Sequence, residues 1–178
     1  MKPFLSLSIG LVLILSGLTH VASAQVTAPT IGGGLCSGYD ATIECLIENA
    51  QALHSSNNPL FWEILDKSAK RARNCESVAD VAGFMRIVDV PRDGLFDEYF
   101  HKKIENLCIS NPNCFFAALA RMRAGEQAGI VGILINPLFV DRSEITQTVY
   151  KYRDVKEYEN IVETYLKGVG GEKRKAKN

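Results

Sequence analysis

Residues 93–101 combine acidic side chains with a histidine, residue types that suit general acid–base chemistry. Asp93 and Asp97 are four residues apart, so on a helix their carboxylates would face the same side, as the paired acids of hydrolases do. Glu98 and His101 would add two further polar groups. Acids in the first turn of a helix also interact favourably with its dipole, and we favour that structural role.

Motifs for other catalytic chemistries are missing from the sequence. His54 and His101 are not at helical spacing from another histidine, and the chain has no Cys-x-x-Cys or His-Glu-x-x-His pattern for zinc. A Gly-x-Ser-x-Gly nucleophile elbow, a phosphate-binding glycine loop and an alternating acidic calcium loop are also absent. The sequence therefore predicts neither a metal nor a cofactor.

Aromatic side chains that fall off the apolar helix faces are candidate contact residues. Trp62 follows Phe61, so on a helix it points about 100° away, at the edge of the core or on an exposed patch. Tyr150 and Tyr158 lie among charged residues in the last predicted helix. Because Trp and Tyr often anchor protein interfaces, Trp62, Tyr150 and Tyr158 are the predicted binding residues.

Apolar residues recur with the period of an α-helix along most of residues 41–168, and strand signals are scarce. We predict one compact all-α domain of about six or seven helices, reinforced by disulfides. The last helix should begin at a capping box of Asp141 and Glu144 and end at the glycines from Gly168 onwards. The tetrapeptide Asn-Pro-Leu-Phe occurs at 58–61 and at 136–139, and we interpret both copies as helix starts.

The N-terminal segment has the features of a secretory signal. Lys2 precedes an apolar stretch over residues 4–18, and Ala22 and Ala24 supply small residues for cleavage. That stretch is shorter than the ~20 residues of a membrane-spanning helix, and no later segment is long enough. We therefore predict an exported protein, periplasmic or extracellular. Its predicted parts are a cleaved signal (1–24), a flexible glycine-rich arm (25–40), a helical domain (41–168) and a disordered basic tail (169–178).

Five cysteines follow the predicted cleavage site, and export makes disulfides their expected use. Cys108 and Cys114 flank an Asn-Pro turn between two predicted helices, so we predict a bridge between them. An antiparallel helix pair would bring Cys36 and Cys75 together as a second bridge, with Cys45 as the odd thiol. A Cys36–Cys45 bridge is the alternative, and it would leave Cys75 unpaired.

Charge and composition exclude some classes of function. The 178-residue chain has no net charge, whereas a nucleic-acid binder needs a clear excess of Lys and Arg. The tail from Glu172 carries four basic residues against one acid, which would permit weak contact with anionic surfaces. By elimination we expect a non-enzymatic exported protein that acts through a protein partner, such as an inhibitor, an immunity-type protein or an envelope assembly factor. A small hydrolase with its site near residues 93–101 is the alternative.

Overall fold

A computed structural model describes Cys36, residues 42–56 and residues 58–175, with side chains described through residue 170. These residues form eight α-helices and two 3₁₀ segments without a strand, which confirms the all-α prediction. The predicted signal, the predicted arm except Cys36, and residues 176–178 lie outside the described residues. The helices are α1 (Ile43–Ser56), α2 (Asn58–Asn74), α3 (Val78–Met85), α4 (Gly94–Ser110), α5 (Pro112–Leu119), α6 (Ala124–Ile135), α7 (Arg142–Tyr150) and α8 (Glu159–Lys175), and the 3₁₀ segments are Arg86–Asp89 and Lys156–Tyr158.

The core is assembled from the apolar faces of these helices. Helix α5 packs against α3 and α4, and in α5 only Asn113 is exposed, as its nearly continuous apolar run predicts. Helix α2 packs between α1 and α3, and α6 packs against α8. The buried face of α4 carries Phe96, Phe100 and Ile104, which places this helix along one side of the core.

Residues predicted as one last helix form two, α7 and α8, separated by a turn at 151–155 and a 3₁₀ segment. The cause is packing on α5. The Tyr152 ring stacks on Phe116 with 4.3 Å between centroids, and Tyr158 lies 5.6 Å from the same ring. On a straight helix residues six apart point about 120° away from each other and could not both reach one ring. Because no Gly or Pro marks the break, the sequence showed no sign of it.

The glycines near the C-terminus do not end α8, whose backbone stays helical to Lys175. Gly168 has a packing role instead, because a Cβ atom there would overlap the Ile135 side chain of α6. The predicted stop at Gly168 is therefore wrong, and this glycine permits the close approach of α8 to α6.

Helix starts follow the sequence in some places and not in others. Ser77 caps α3, its hydroxyl accepting a hydrogen bond from the Asp80 N–H at 3.0 Å. Two of the three Asn-Pro pairs lie at helix starts, with Pro59 in the first turn of α2 and Pro112 in that of α5. Asp141 occupies the N-cap position of α7, but its side chain makes no capping hydrogen bond, so the predicted capping box does not form.

The structure pairs the cysteines differently from the prediction. Cys36 is bonded to Cys45, with 5.6 Å between Cα atoms, and Cys75 is bonded to Cys114, with 6.2 Å between them. Cys108 is the free cysteine. The predicted Cys108–Cys114 and Cys36–Cys75 bridges are therefore wrong, and Cys45 is not the odd thiol. The alternative Cys36–Cys45 bridge is present, although Cys75 is not left unpaired.

Helix packing explains this pairing. Cys108 lies on the buried face of α4, four residues after Ile104, and is turned into the core. Burial raises the pKa of the Cys108 thiol to about 12, so this cysteine is protonated and unreactive in the folded protein. The Asn111 side-chain amide donates a hydrogen bond to the Arg73 carbonyl, which holds the turn between α4 and α5 against the end of α2. Cys114 is thereby placed beside Cys75.

Cys75 also ends α2 in an unusual way. Its φ of 49° lies in the left-handed region, where glycine is the common residue after a helix. The Cys75 N–H donates to the Ala72 carbonyl at 3.0 Å, and the Glu76 N–H donates to the Arg71 carbonyl at 3.2 Å. These two bonds form a Schellman motif with cysteine in the glycine position. This conformation turns the chain at the disulfide.

No helix among the described residues is both long enough and apolar enough to cross a membrane.

Candidate functional site

Asp93 and Asp97, predicted as a possible catalytic pair, point to different neighbours. Asp93 is the N-cap of α4 with an extended backbone, and its Oδ1 accepts a hydrogen bond from the Phe96 N–H at 3.0 Å. Its other oxygen lies 3.4 Å from His54 Nε2 at the end of α1. Because Asp93 precedes the first helical residue, the four-residue helical spacing does not apply to it.

The carboxylate of Asp97 lies close to two side chains, those of Arg92 and His101. Arg92 Nε donates to Asp97 Oδ1 at 2.7 Å, and His101 Nε2 lies 3.7 Å from Asp97 Oδ2. Glu98 is exposed. The four residues of the hydrolase alternative thus divide among an ion pair, a helix cap and the protein surface. Of the four, the structure brings Asp97 and His101 together, whereas Asp93 faces His54 and Glu98 faces the solvent.

A group that the sequence analysis missed is Glu105, the only charged residue with 0% exposure in the described chain. Its two carboxyl oxygens accept hydrogen bonds from three successive backbone N–H groups, at 2.9 Å from Leu138, 2.7 Å from Phe139 and 2.9 Å from Val140. His101 Nδ1 lies 3.6 Å from Glu105 Oε1 and has no hydrogen-bond partner. A buried carboxylate is tolerated only when it is well hydrogen-bonded, and these donors provide that.

The Glu105 contacts fix the shape of the segment between α6 and α7. With its backbone bound to α4, this segment turns two large apolar side chains outwards, leaving Leu138 60% and Phe139 45% exposed. The Lys102 ammonium lies 6.0 Å from the centre of the Phe139 ring, at the limit of a cation–π contact. Glu105 therefore holds the backbone of this loop in place, while the apolar side chains of Leu138 and Phe139 are exposed.

The outer side of α4 carries a further exposed apolar residue. Leu95 is 76% exposed, and Lys102, beside Phe139, lies two turns further along the same face. One turn after Leu95, the Tyr99 ring packs edge-on against Trp62 of α2, with 5.4 Å between centroids. We call this surface the α4 face. Its members are Trp62, Leu95, Tyr99, Lys102, Leu138 and Phe139.

Several contacts fix the aromatic edge of the α4 face. The Tyr99 hydroxyl donates to Asp66 Oδ1 at 2.6 Å, and the Lys103 ammonium lies 4.9 Å from the Tyr99 ring centre. Burial, together with the hydrogen bond and negative charge of Asp66, raises the pKa of Tyr99 above its usual range. Tyr99 therefore stays protonated and keeps its donor bond, which holds the ring in place beside Trp62.

The three predicted binding residues do not form one surface. Trp62 is half-buried and packs on Phe96 and Tyr99, so it lies at the edge of the core. Tyr150 is 49% exposed, with the Arg153 guanidinium 4.1 Å from its ring centre. Tyr158 is half-buried in the cluster around Phe116. Only Trp62 belongs to the α4 face.

Among the described residues, no group of three or more His, Cys, Asp or Glu side chains is arranged to hold a metal ion. The comparisons with known proteins add no relative, since no protein-family model, curated protein or solved structure matches this chain.

Proposed function

We propose that this protein is an exported, non-enzymatic binding protein that docks a protein partner on the α4 face. The observation that carries the proposal is that most of the exposed large hydrophobic residues lie on α4 or on the loop bound to it. Five large hydrophobic residues are exposed in the described chain, and Leu95, Leu138 and Phe139 belong to this face. Exposed apolar groups that lie together are typical of protein interaction sites.

The rigidity of the face supports the same function. Glu105 holds the backbone under Leu138 and Phe139, and Asp66 holds Tyr99 beside Trp62. Side chains ordered before binding lose less conformational entropy when a partner docks. Interfaces usually combine aromatic or aliphatic anchors with charged residues, and Lys102 and Glu98 are charged residues on this side of α4.

Export is consistent with the two disulfides, which form and persist in oxidising compartments. We propose the periplasm or the extracellular space as the site of action. The candidate roles are those of an inhibitor, an immunity-type protein or an envelope assembly factor, each of which acts through a protein partner.

Site-specific photo-crosslinking tests the docking face. A crosslinking side chain placed at Leu95 or Leu138 should capture one defined partner in the exported fraction of the source organism. The same group at Glu163, an exposed position on α8, should not capture it. Capture from α8 alone, or of a different mixture at each position, would contradict the proposal.

Substitutions then measure the contribution of the face. The double variant Leu138→Ala/Phe139→Ala should weaken binding of the captured partner by about 30-fold or more, the size expected for central interface anchors. Val155→Ala, an exposed apolar residue outside the face, is the matched control and should bind normally. Unchanged binding of the double variant would reject the face. Substrate turnover by the purified protein without a partner would reject the non-enzymatic function.

A further inference from the structure

A cavity of about 390 Å³ lies between the end of α1, the start of α2 and residues 90–96. None of the residues that line it belongs to the α4 face. Its apolar wall includes Ala50, Phe61 and Phe96, and its polar lining includes His54, Arg92 and Asp93. The volume and the mixture of an apolar wall with a few polar groups are typical of small-molecule sites.

Asp93 provides the charge that a ligand would meet. One of its oxygens is used to cap α4, whereas the other faces His54 at 3.4 Å. The Asp93 side chain is 56% exposed, so this second oxygen is open to exchange of partners. The His54 contact is long for a hydrogen bond and exposed, which makes it easy to displace.

The positive charge of Arg92 is already engaged. Its Nε donates to Asp97 Oδ1 at 2.7 Å, and its Nη1 donates to the Val88 carbonyl at 2.7 Å. Because Arg92 is paired with Asp97, the carboxylate of Asp93 is the charged group of the lining that can take a new partner.

The aromatic wall supplies the apolar contacts of the cavity. Phe61 and Phe96 lie edge to face with 5.1 Å between centroids, and the His54 ring stands edge to face with Phe61 at 5.0 Å. Aromatic rings pack well against apolar groups. We propose that this cavity binds a small organic ammonium ion that carries an apolar group, with the ammonium on Asp93 and the apolar group against Phe61 and Phe96.

The test uses three probes of similar shape and different charge, added to the protein with its disulfides intact. The probes are 2-phenylethylammonium, 2-phenylethanol and phenylacetate, and binding is followed by NMR chemical shifts of the cavity residues. The ammonium should reach half-saturation at or below about 1 mM, and the alcohol and the carboxylate should bind at least about tenfold more weakly. Equal binding of ammonium and alcohol, or no saturable shift with the ammonium, would overturn the proposal.

Three variants assign the binding to these residues. Asp93→Asn removes the charge while keeping a good N-cap, and it should weaken ammonium binding by about tenfold or more. Ala50→Leu fills the apolar wall and should block the ammonium although Asp93 is intact. Asp141→Asn is the matched control, since it removes an acid from the N-cap position of another helix, and its affinity should be unchanged. Tight binding to Asp93→Asn, or equal weakening by Asp141→Asn, would also overturn the proposal.

Discussion

Residues 58–61 and residues 136–139 carry the same four amino acids, Asn-Pro-Leu-Phe, in two different structural roles. In the first copy the tetrapeptide opens α2, and Phe61 is 1% exposed. In the second copy it forms the loop after α6, and Phe139 is 45% exposed. The tetrapeptide therefore fixes neither the backbone conformation nor the burial of its aromatic residue.

The surroundings of the first copy favour a helix. Residues 61–72 continue the helical period, and the face beginning at Phe61 is buried through Ile64, Leu65 and Ala69. Pro59 lies in the first turn, where its missing N–H costs no intrahelical bond. The Phe61 ring is packed among His54, Trp62 and Phe96. Burial of this face stabilises the helix that the tetrapeptide begins.

The surroundings of the second copy favour a loop. Asn136 ends α6, and the next helix begins only at Arg142. The N–H groups of Leu138, Phe139 and Val140 donate to Glu105, more than thirty residues earlier in the chain. The comparison teaches that a helix-start sequence becomes a loop where a distant buried acceptor takes its N–H groups.

The largest expected difference between the copies is in stability. Phe61→Ala should lower the free energy of unfolding by about 3–5 kcal/mol, because it empties part of the core. Phe139→Ala should lower it by about 1 kcal/mol or less, because nearly half of this residue is exposed to solvent. Denaturant unfolding of both variants with the disulfides intact measures the difference. Similar losses would show that the second copy is also part of the core.

An intermediate effect is expected for the acceptor that distinguishes the copies. Glu105→Gln leaves one acceptor oxygen and points an amide donor at backbone donors, so unfolding should become easier by about 2–4 kcal/mol. Amide hydrogen exchange should accelerate at 138–140 and stay unchanged in the first turns of α2. Glu98→Gln, an exposed acid on the same helix, is the control and should change neither quantity. Slow exchange at 138–140 in Glu105→Gln would mean that the loop holds its shape without this carboxylate.

The smallest expected effect concerns the helix that follows the second copy. Asp141 makes no capping bond to α7, so Asp141→Ala should cost about 0.5 kcal/mol or less, mainly through the helix dipole. Ser77→Ala, which removes a real cap from α3, should cost about 1 kcal/mol. Thermal unfolding of the two variants compares them. A larger loss from Asp141→Ala than from Ser77→Ala would restore the predicted capping box at the start of α7.

The sequence by itself determined the helical class and most of the helix positions. Apolar periodicity identifies the buried faces of α2 and α4. The place of Trp62 next to Phe61 left two positions open, the edge of the core or an exposed patch, and the structure has it at the edge. These features depend on residues three or four positions apart, whose geometry on a helix is the same in every protein.

The candidate surface was only partly visible in the sequence. Trp62 was predicted as a contact residue, and its role in binding stays a prediction. Leu138 and Phe139 were assigned to a helix start, so their exposure went unrecognised. The sequence signal for a loop was the lack of helical apolar spacing between Phe139 and Asp141. This signal is weak, because other helix starts in this chain have similar polar breaks.

Tertiary structure decided the disulfide pairing, the break between α7 and α8 and the Glu105 contacts. Cys75 and Cys114 are 39 residues apart, and Glu105 is 33 residues or more from its three partners. Residues so far apart meet only when their helices pack, and the packing depends on the summed burial of many faces. Local patterns determine which face of each helix is buried. Which helix packs against that face depends on the packing of the whole core.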